Sequence, residues 1–276
     1  MLIDAFTWFN ETEMLLFRLK MLSPLVDKFI LVECDHTFSG KPKPYYSDDL
    51  DGQFDPYRKK LVIHKMKASI EGLDFSKKPT EYDETAPSWQ IEHQQRDAIG
   101  EACRHFPPDA LVLVSDVDEI PARDALEWAL HNNAGRTAPV SFGQFMFYYN
   151  LRFVRDVVIT DPATPQIFFW KGTILTHVQA LQTQGAQALR SLRNSLGFIN
   201  HGGWHLSYFK DADGIKNKIE SFSHQEFNKE EFKDSAYIAK CIETGQDLFA
   251  RENQVVPVGK DFFPPYFREY ADANWW

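Results

Sequence analysis

Short apolar runs alternate with segments of helical period through the first part of the chain. Leu2 to Thr7 reads as a strand, and Asn10 or Thr12 caps a helix through about Met21, whose Met14, Leu15, Phe17, Leu19 and Leu22 supply apolar faces. Phe29 to Cys34 (F-I-L-V-E-C) is a second strand, and T-F-S-G-K-P-K-P-Y-Y after it is a loop by its Gly and Pro content. Lys60 to Met66 is a third strand, residues 71–87 a polar, Pro-containing loop, and Trp89 to Cys103 a helix capped by Ser88. Leu111 to Val114 has the length and branching of an interior strand, and Pro121 sets up a helix from Arg123. Strands alternating with helices predict right-handed β-α-β crossovers and a mostly parallel sheet.

The second half changes character. Val140 to Asn150 and Val154 to Thr160 predict longer, aromatic strands, antiparallel or mixed. Residues 161–196 show no clear period and are expected to include a mobile loop. Phe198 to Phe209 reads as a strand with a Gly-Gly break, followed by a helix from Ala212 to Phe222 with Asp211 at its N-cap and another over Lys229 to Gly245. The Pro- and aromatic-rich tail is expected to pack across the surface. No composition shift marks a linker, so residues 1–276 are read as one α/β domain.

Composition narrows the function. The net charge of −9 and the lack of a basic run argue against wrapping nucleic acid. Cys34, Cys103 and Cys241 are odd in number and widely spaced, which fits reduced thiols rather than a disulfide framework or a zinc site. Met1-Leu-Ile-Asp runs straight into a strand, with no signal-peptide pattern and no membrane-length apolar segment. The expectation is a soluble, cytoplasmic protein or a catalytic domain cut from something longer.

Candidate chemistry centres on Ser115-Asp116-Val117-Asp118-Glu119. Three carboxylates at the end of a buried strand need positive charge among them. If the segment stays extended, Asp116 and Asp118 point the same way and offer hard oxygen ligands to magnesium or manganese. The plain alternative is an acidic turn ahead of the helix. Ligands of open α/β sheets bind beyond the carboxyl ends of the strands, so Asn10 and Glu11, Glu33 and Asp35, and Asp116 and Asp118 should converge.

Three stretches carry a family resemblance: S-D-V-D-E-I-P-A-R-D at Ser115 to Asp124, F-N-E-T-E-M-L-L-F-R-L at Phe9 to Leu19 with S-G-K-P-K-P at Ser39 to Pro44, and G-W-H-L-S-Y-F at Gly203 to Phe209. In this order they resemble glycosyltransferase family 17, the family of the β-1,4-N-acetylglucosaminyltransferase that bisects N-glycans. Animal members carry a membrane anchor and stem, and neither is expected in this sequence, so acceptor and compartment are not carried over.

The resemblance implies a GT-A-like fold, with residues 1–124 binding the nucleotide sugar and residues 125–276 on the acceptor side. It implies metal-dependent, inverting transfer of a sugar, N-acetylglucosamine first, from a uridine-diphosphate donor to a hydroxyl of an oligosaccharide or glycoconjugate. Asp118 is the leading metal ligand, Asp116 serves the metal or, with Ser115, the ribose, and His205 completes the set, with His201 in reserve; His205 is equally a half-buried strand histidine. Glu119 or Asp213 would act as general base, unless Glu119 only orients its loop and Asp213 only serves a helix N-terminus. Asn10, Glu11 and Glu33 would face the nucleoside. Arg96 would reach the nucleotide or pair with Glu92 one turn away. Lys171, Arg190 and Arg193 would close over the diphosphate or stay solvated, and Trp204, Tyr148 and Tyr149 would stack on sugars or sit in the core. Two rivals remain: a metal-dependent phosphohydrolase of the haloacid dehalogenase type, with the first Asp as nucleophile, and a non-catalytic binding protein that keeps the fold.

Overall fold

The hydrophobic runs at the start of the chain assemble the sheet. In the computed structural model, which describes residues 1–77, 79–158, 166–251 and 254–276, β1 (Leu2–Thr7) is followed by α1 (Thr12–Leu22), β2 (Lys28–Cys34), β3 (Leu61–Met66), α2 (Pro87–Cys103), β4 (Leu111–Asp116), β5 (Glu119–Pro121) and α3 (Arg123–His131). β3, β2, β1 and β4 lie side by side, and every pair among them is parallel. All of β1 is buried, as a parallel strand covered on both faces requires. Phe6, Phe29, Leu31 and Leu113 pack with Leu15 and Phe17 of α1 on one face. Ile3, Ile30, Val112 and Val114 pack with Ile99 and Cys103 of α2 on the other.

The second half continues with β6 (Val140–Tyr148), β7 (Phe153–Arg155), β8 (Val157–Val158), β9 (Gln166–Ile167), β10 (Trp170–His177), α4 (Val178–Gln184), α5 (Ala186–Leu192), β11 (Phe198–Ser207), α6 (Ala212–Ser221), α7 (Ser235–Thr244), β12 (Val255–Pro257) and α8 (Pro265–Tyr270). β10 enters antiparallel between β4 and β6. β11 runs parallel to β6 and antiparallel to β5. The sheet is therefore parallel in its first half and mixed in its second, flanked by helices, in line with the α/β expectation. The break in β11 has a steric cause. Gly203 has φ +144°, and a Cβ there would lie 2.1 Å from the Ile120 carbonyl oxygen, so only glycine lets β11 close on β5.

Several local expectations change. Residues 166–196 are not a mobile loop: β10, α4 and α5 lie there, because Ile174 and Leu175 are interior residues of the sheet and Leu181 and Leu189 cover one face. Residues 159–165, including the end of the predicted Val154–Thr160 strand, lie outside the described residues. Ser88 does not cap α2, which begins at Pro87 after Ala86; its hydroxyl donates instead to the Ser223 carbonyl at 2.7 Å. The helix expected over 229–245 shortens to α7, capped by Asp234. The aromatic tail is core rather than surface cover: Phe263, Phe267 and Trp275 are buried, with Phe17 packed edge-on to both Phe267 and Trp275. All three cysteines are free and buried, and burial pushes the Cys103 thiol up to about 12. Among the described residues no helix is long and apolar enough to cross a membrane.

Candidate active site

The acidic segment after β4 is built from below by one arginine. Arg18 sits on the apolar face of α1, fully buried, and its Nε and Nη2 donate to the two carboxylate oxygens of Asp4 at 2.8 and 2.6 Å. Nη2 also donates to the Ser115 hydroxyl at 2.7 Å, and Nη1 to the carbonyls of Asp116, Val117 and Glu119 at 2.9–3.1 Å. Asp118 returns to the sheet through its carbonyl, which accepts from Leu206 of β11 at 2.9 Å. Val117 and Asp118 thus form a tight turn between β4 and β5, not an extended strand. Both aspartates nevertheless face one cleft of about 690 Å³, within the range of small-molecule sites.

From above, the same segment meets cations. Asp116, 29% exposed, accepts from Thr7 Oγ1 at 2.8 Å, from Arg96 Nη2 at 3.0 Å and from Arg190 Nη2 at 3.1 Å. Burial would lift its carboxyl, but Arg96 and Arg190 hold it well below the usual carboxylate range. Asp118 Oδ2 lies 3.2 Å from Lys218 Nζ, and Oδ1 lies 3.6 Å from His205 Nε2. Burial again opposes ionisation, and Lys218 and then His205 reverse it, holding this carboxyl low as well. The Arg193 guanidinium stacks over the Trp170 ring at 4.5 Å and, unlike the residue's backbone, has no hydrogen bond or ion pair among the described residues. Its guanidinium on the cleft wall is available to an incoming anion.

Trp170 and Glu119 fix this cationic wall. Glu119 is fully buried; its Oε1 accepts from Trp170 Nε1 and Arg190 Nη2, each at 2.6 Å, and its Oε2 accepts from Arg190 Nη1 at 2.8 Å and the Asp116 amide at 3.0 Å. The backbone gives way for it at Gly172, where a Cβ would meet the Glu119 carboxyl at 2.4 Å. Glu119 therefore anchors Arg190 beneath the cleft and does not line it.

Among the predicted site residues, Glu11, Arg96, Asp116, Asp118, Tyr148, Arg190, Arg193 and His205 line the cleft together. Arg96 makes the expected pair with Glu92, to which Nη2 donates at 2.8 Å, and also lines the cleft. The others lie elsewhere. Glu33 is fully buried and accepts from Lys43 and the amides of Tyr46 and Ser47, which pins the loop after β2. Asp35 binds His36 and the Ala68 amide, and Asn10 accepts from Lys210. Ser115 is buried on Arg18. Trp204 is core, 4.6 Å from Phe267, and Tyr149 is buried as well. His201 packs on Phe145 and Phe169, and Lys171 lies over Phe198. Asp213 is exposed in the first turn of α6, where Asp211 supplies the cap.

The expected metal set is only half assembled. Among the described residues no three His, Cys, Asp or Glu side chains come together as ligands. The cause is at Asp116, whose oxygens are taken by two arginines and Thr7, so it is not an open ligand. Asp118 and His205 do face each other, and the Nδ1 of His205 is buried without a partner among the described residues. A carboxylate and an imidazole fit a divalent cation that takes its remaining ligands from a bound phosphate and water.

Sequence reasoning did not single out Arg18, Trp170 or Lys218. Arg18 left a trace, as a cation four residues from both Met14 and Leu22 on an otherwise apolar face. Trp170 and Lys218 left none, because their roles depend on contacts that cross the chain.

The sequence profile of glycosyltransferase family 17 matches residues 1–255. A β-1,4-mannosyl-glycoprotein 4-β-N-acetylglucosaminyltransferase of Rattus norvegicus is 24% identical over 269 residues, covering 88% of this chain and 47% of the relative. The Homo sapiens protein of the same name matches at the same identity, with 48% of it covered. The chain spans about half the length of the curated relatives it matches. Among solved structures, the 4-diphosphocytidyl-2C-methyl-D-erythritol synthase of Anaerococcus prevotii superposes over 78% of this chain and 93% of its own, with a TM-score of 0.44 and 10% identity.

Proposed function

The chain belongs to glycosyltransferase family 17, and we propose that its cleft moves N-acetylglucosamine from a uridine-diphosphate donor to a hydroxyl of a glycan, with inversion, on a GT-A-like fold. One observation carries this reading: Arg96, Arg190 and Lys218 engage Asp116 and Asp118 at the carboxyl end of β4, and Arg193 lines the same cleft. A protein of net charge −9 that gathers these four cations, and Arg251 besides, in one cleft is built for a multiply charged anion, and a departing diphosphate is such a group.

The chain's own residues then have definite tasks. Arg193, with no carboxylate to answer, meets a diphosphate oxygen. Arg96 and Arg190 hold Asp116 in place and lend positive potential to the same point. Lys218 follows the charge that develops as the glycosidic bond breaks, and Asp118 keeps Lys218 protonated and oriented. The amine's charge is opposed by burial and restored by Asp118, which leaves its pKa above the ordinary lysine value. Asp118 and His205 are the residues that would hold a magnesium or manganese ion, which would supply Lewis-acid neutralisation of the diphosphate. The donor side draws on both halves of the chain, since Arg190, Arg193 and Lys218 all follow residue 124. A mannose-containing glycan is the first acceptor to try, by the name of the curated relatives.

The phosphohydrolase alternative finds no support here, because Asp116, the nucleophile it needs, is clamped by Arg96, Arg190 and Thr7. The test is a thermal shift of the full chain with a panel of nucleotide sugars, with and without manganese, followed by nucleotide release in the presence of mannose-cored N-glycans. The expected result is a shift specific to UDP-sugars that Asp118→Ala reduces, together with turnover on the glycan. Absence of any UDP-sugar shift sinks the reading, and a shift without turnover favours the non-catalytic binding protein.

A further inference from the structure

An inverting transfer needs a group that takes the acceptor's proton, and neither Glu119 nor Asp213 reaches the cleft. Most carboxylates on its wall are already engaged. Asp116 answers two arginines, Asp118 answers Lys218 and His205, Glu92 answers Arg96, and Glu11 accepts from the amides of Phe9 and Asn10. A different pair stands ready. His224 lines the cleft with its side chain 41% exposed, and its Nδ1 lies 2.6 Å from Oε1 of Glu226. Glu226 is buried, and its Oε2 has no partner among the described residues. The imidazole is therefore the one hydrogen-bond partner of this carboxyl group among the described residues. The Nε2 of His224 has no hydrogen-bond partner among the described residues.

The pair is placed by the elements that build the cationic wall. α6 carries Lys218 and runs into Phe222, Ser223 and His224. The hydroxyl of Ser88, at the start of α2, holds the Ser223 carbonyl, and Trp89 packs edge-on to the His224 ring with centroids 4.7 Å apart. Arg96 lies on α2 two turns beyond Trp89, about 10 Å along the helix axis.

We propose that His224 is the general base of the transfer and Glu226 its positioning residue; this rests on reading the cleft as an inverting glycosyltransferase site. The Nε2 of His224 takes the proton of the acceptor hydroxyl as the hydroxyl oxygen bonds to the anomeric carbon. The bond from that carbon to the diphosphate oxygen breaks, and its electron pair leaves on the diphosphate. Glu226 holds the Nδ1–H tautomer and stabilises the imidazolium that forms. The proton then passes to solvent through the open side of the ring.

The experiment measures UDP release by the full chain with UDP-N-acetylglucosamine and mannose-cored N-glycans. His224→Ala should lower kcat by about 10²–10⁴-fold, with the donor-induced thermal shift kept and donor KM within about threefold, and added imidazole should restore part of the rate. Glu226→Gln should lower kcat with KM unchanged, and Glu226→Asp should recover part of that loss. Retained turnover in His224→Ala, loss of its donor shift, or failure of imidazole to restore any rate would overturn the proposal while a turning-over wild type leaves the transferase reading intact. A wild type that binds no UDP-sugar defeats that reading itself, and the proposal with it.

Discussion

The Asp116–Glu119 segment is gripped by arginine from two sides, and the two grips differ in kind. Below it, Arg18 and Asp4 are both sealed from solvent, and Arg18 gives three of its six hydrogen bonds, all from Nη1, to main-chain carbonyls. Above it, Arg96 and Arg190 bind the Asp116 side chain at the wall of an open cleft. The lower grip sets where the backbone goes. The upper one sets what charge the cleft presents. A buried pair of the first kind is costly to break and brings nothing to a ligand, whereas cations of the second kind can exchange one anion for another. Arg190 belongs to both, since Nη1 and Nη2 hold buried Glu119 and Nη2 also reaches Asp116.

The largest effect should come from the lower grip. Arg18→Met leaves Asp4 charged and buried and takes the arginine donor from three carbonyls, of which Glu119's keeps Thr173, and removing one partner of a buried pair costs about 3–5 kcal/mol. Denaturant unfolding should show the unfolding free energy falling by that amount. The double variant Asp4→Leu with Arg18→Met should regain much of the stability yet remain unable to bind a UDP-sugar, because the turn has lost its anchor. If the double variant binds donor normally, the division of labour between the two grips is wrong.

Next in size is Arg190→Lys. It keeps the charge but loses the planar fork that serves Glu119 and Asp116 together. Stability and donor affinity should fall together, by about 2 kcal/mol and about tenfold respectively, read by unfolding and by thermal shift; a buried hydrogen bond to a charged group is worth about 1.5–3 kcal/mol. Arg193→Ala separates the two quantities. Arg193 has no partner to strand, so stability should stay within about 0.5 kcal/mol, while donor affinity drops about tenfold or more. A stability loss as large as that of Arg190→Lys would mean that Arg193 is structural after all.

These contrasts also mark what could be read from the chain. The parallel series β3-β2-β1-β4 was legible because each strand is a short apolar run punctuated by turn residues, and Asp116 and Asp118 were legible as acids at a strand end. Which acid faces outward was not. Asp116, Asp118 and Glu119 look alike in sequence, and their fates are decided by Arg190, Trp170 and Lys218, which lie 51 to 102 positions further on. Glu33 shows the same limit: it ends a strand as Asp116 does, but Lys43 and two loop amides seal it in. Trp204 sits beside His205 on β11, and the alternation of the strand sends one into the aromatic core and the other into the cleft.

The two-sided arrangement recurs, more weakly, at Asp247, which allows the comparison to be checked away from the acidic turn. Buried Arg155 donates to Asp247 at 2.8 Å from the inside, and Arg251, which is partly exposed on the cleft wall, does so at 2.8 Å from the outside. Burial raises this carboxyl, but Arg251 and then the Phe249 amide and Arg155 outweigh it and hold its pKa below the ordinary value. The native state therefore binds fewer protons than the unfolded chain at acid pH. The stabilisation is complete above the unfolded value of about 3.9 and is lost as pH falls through the lower native one. Asp247→Asn should flatten the fall in unfolding free energy below about pH 5, by at most about 1.4 kcal/mol per pH unit. Arg251→Ala should cost under about 1 kcal/mol at neutral pH, as expected for a partly exposed partner, and Arg155→Ala clearly more. If the outer arginine proves the costlier to remove, burial is not what separates the two grips, and the assignment of Arg96 and Arg190 to function rather than to folding loses its basis.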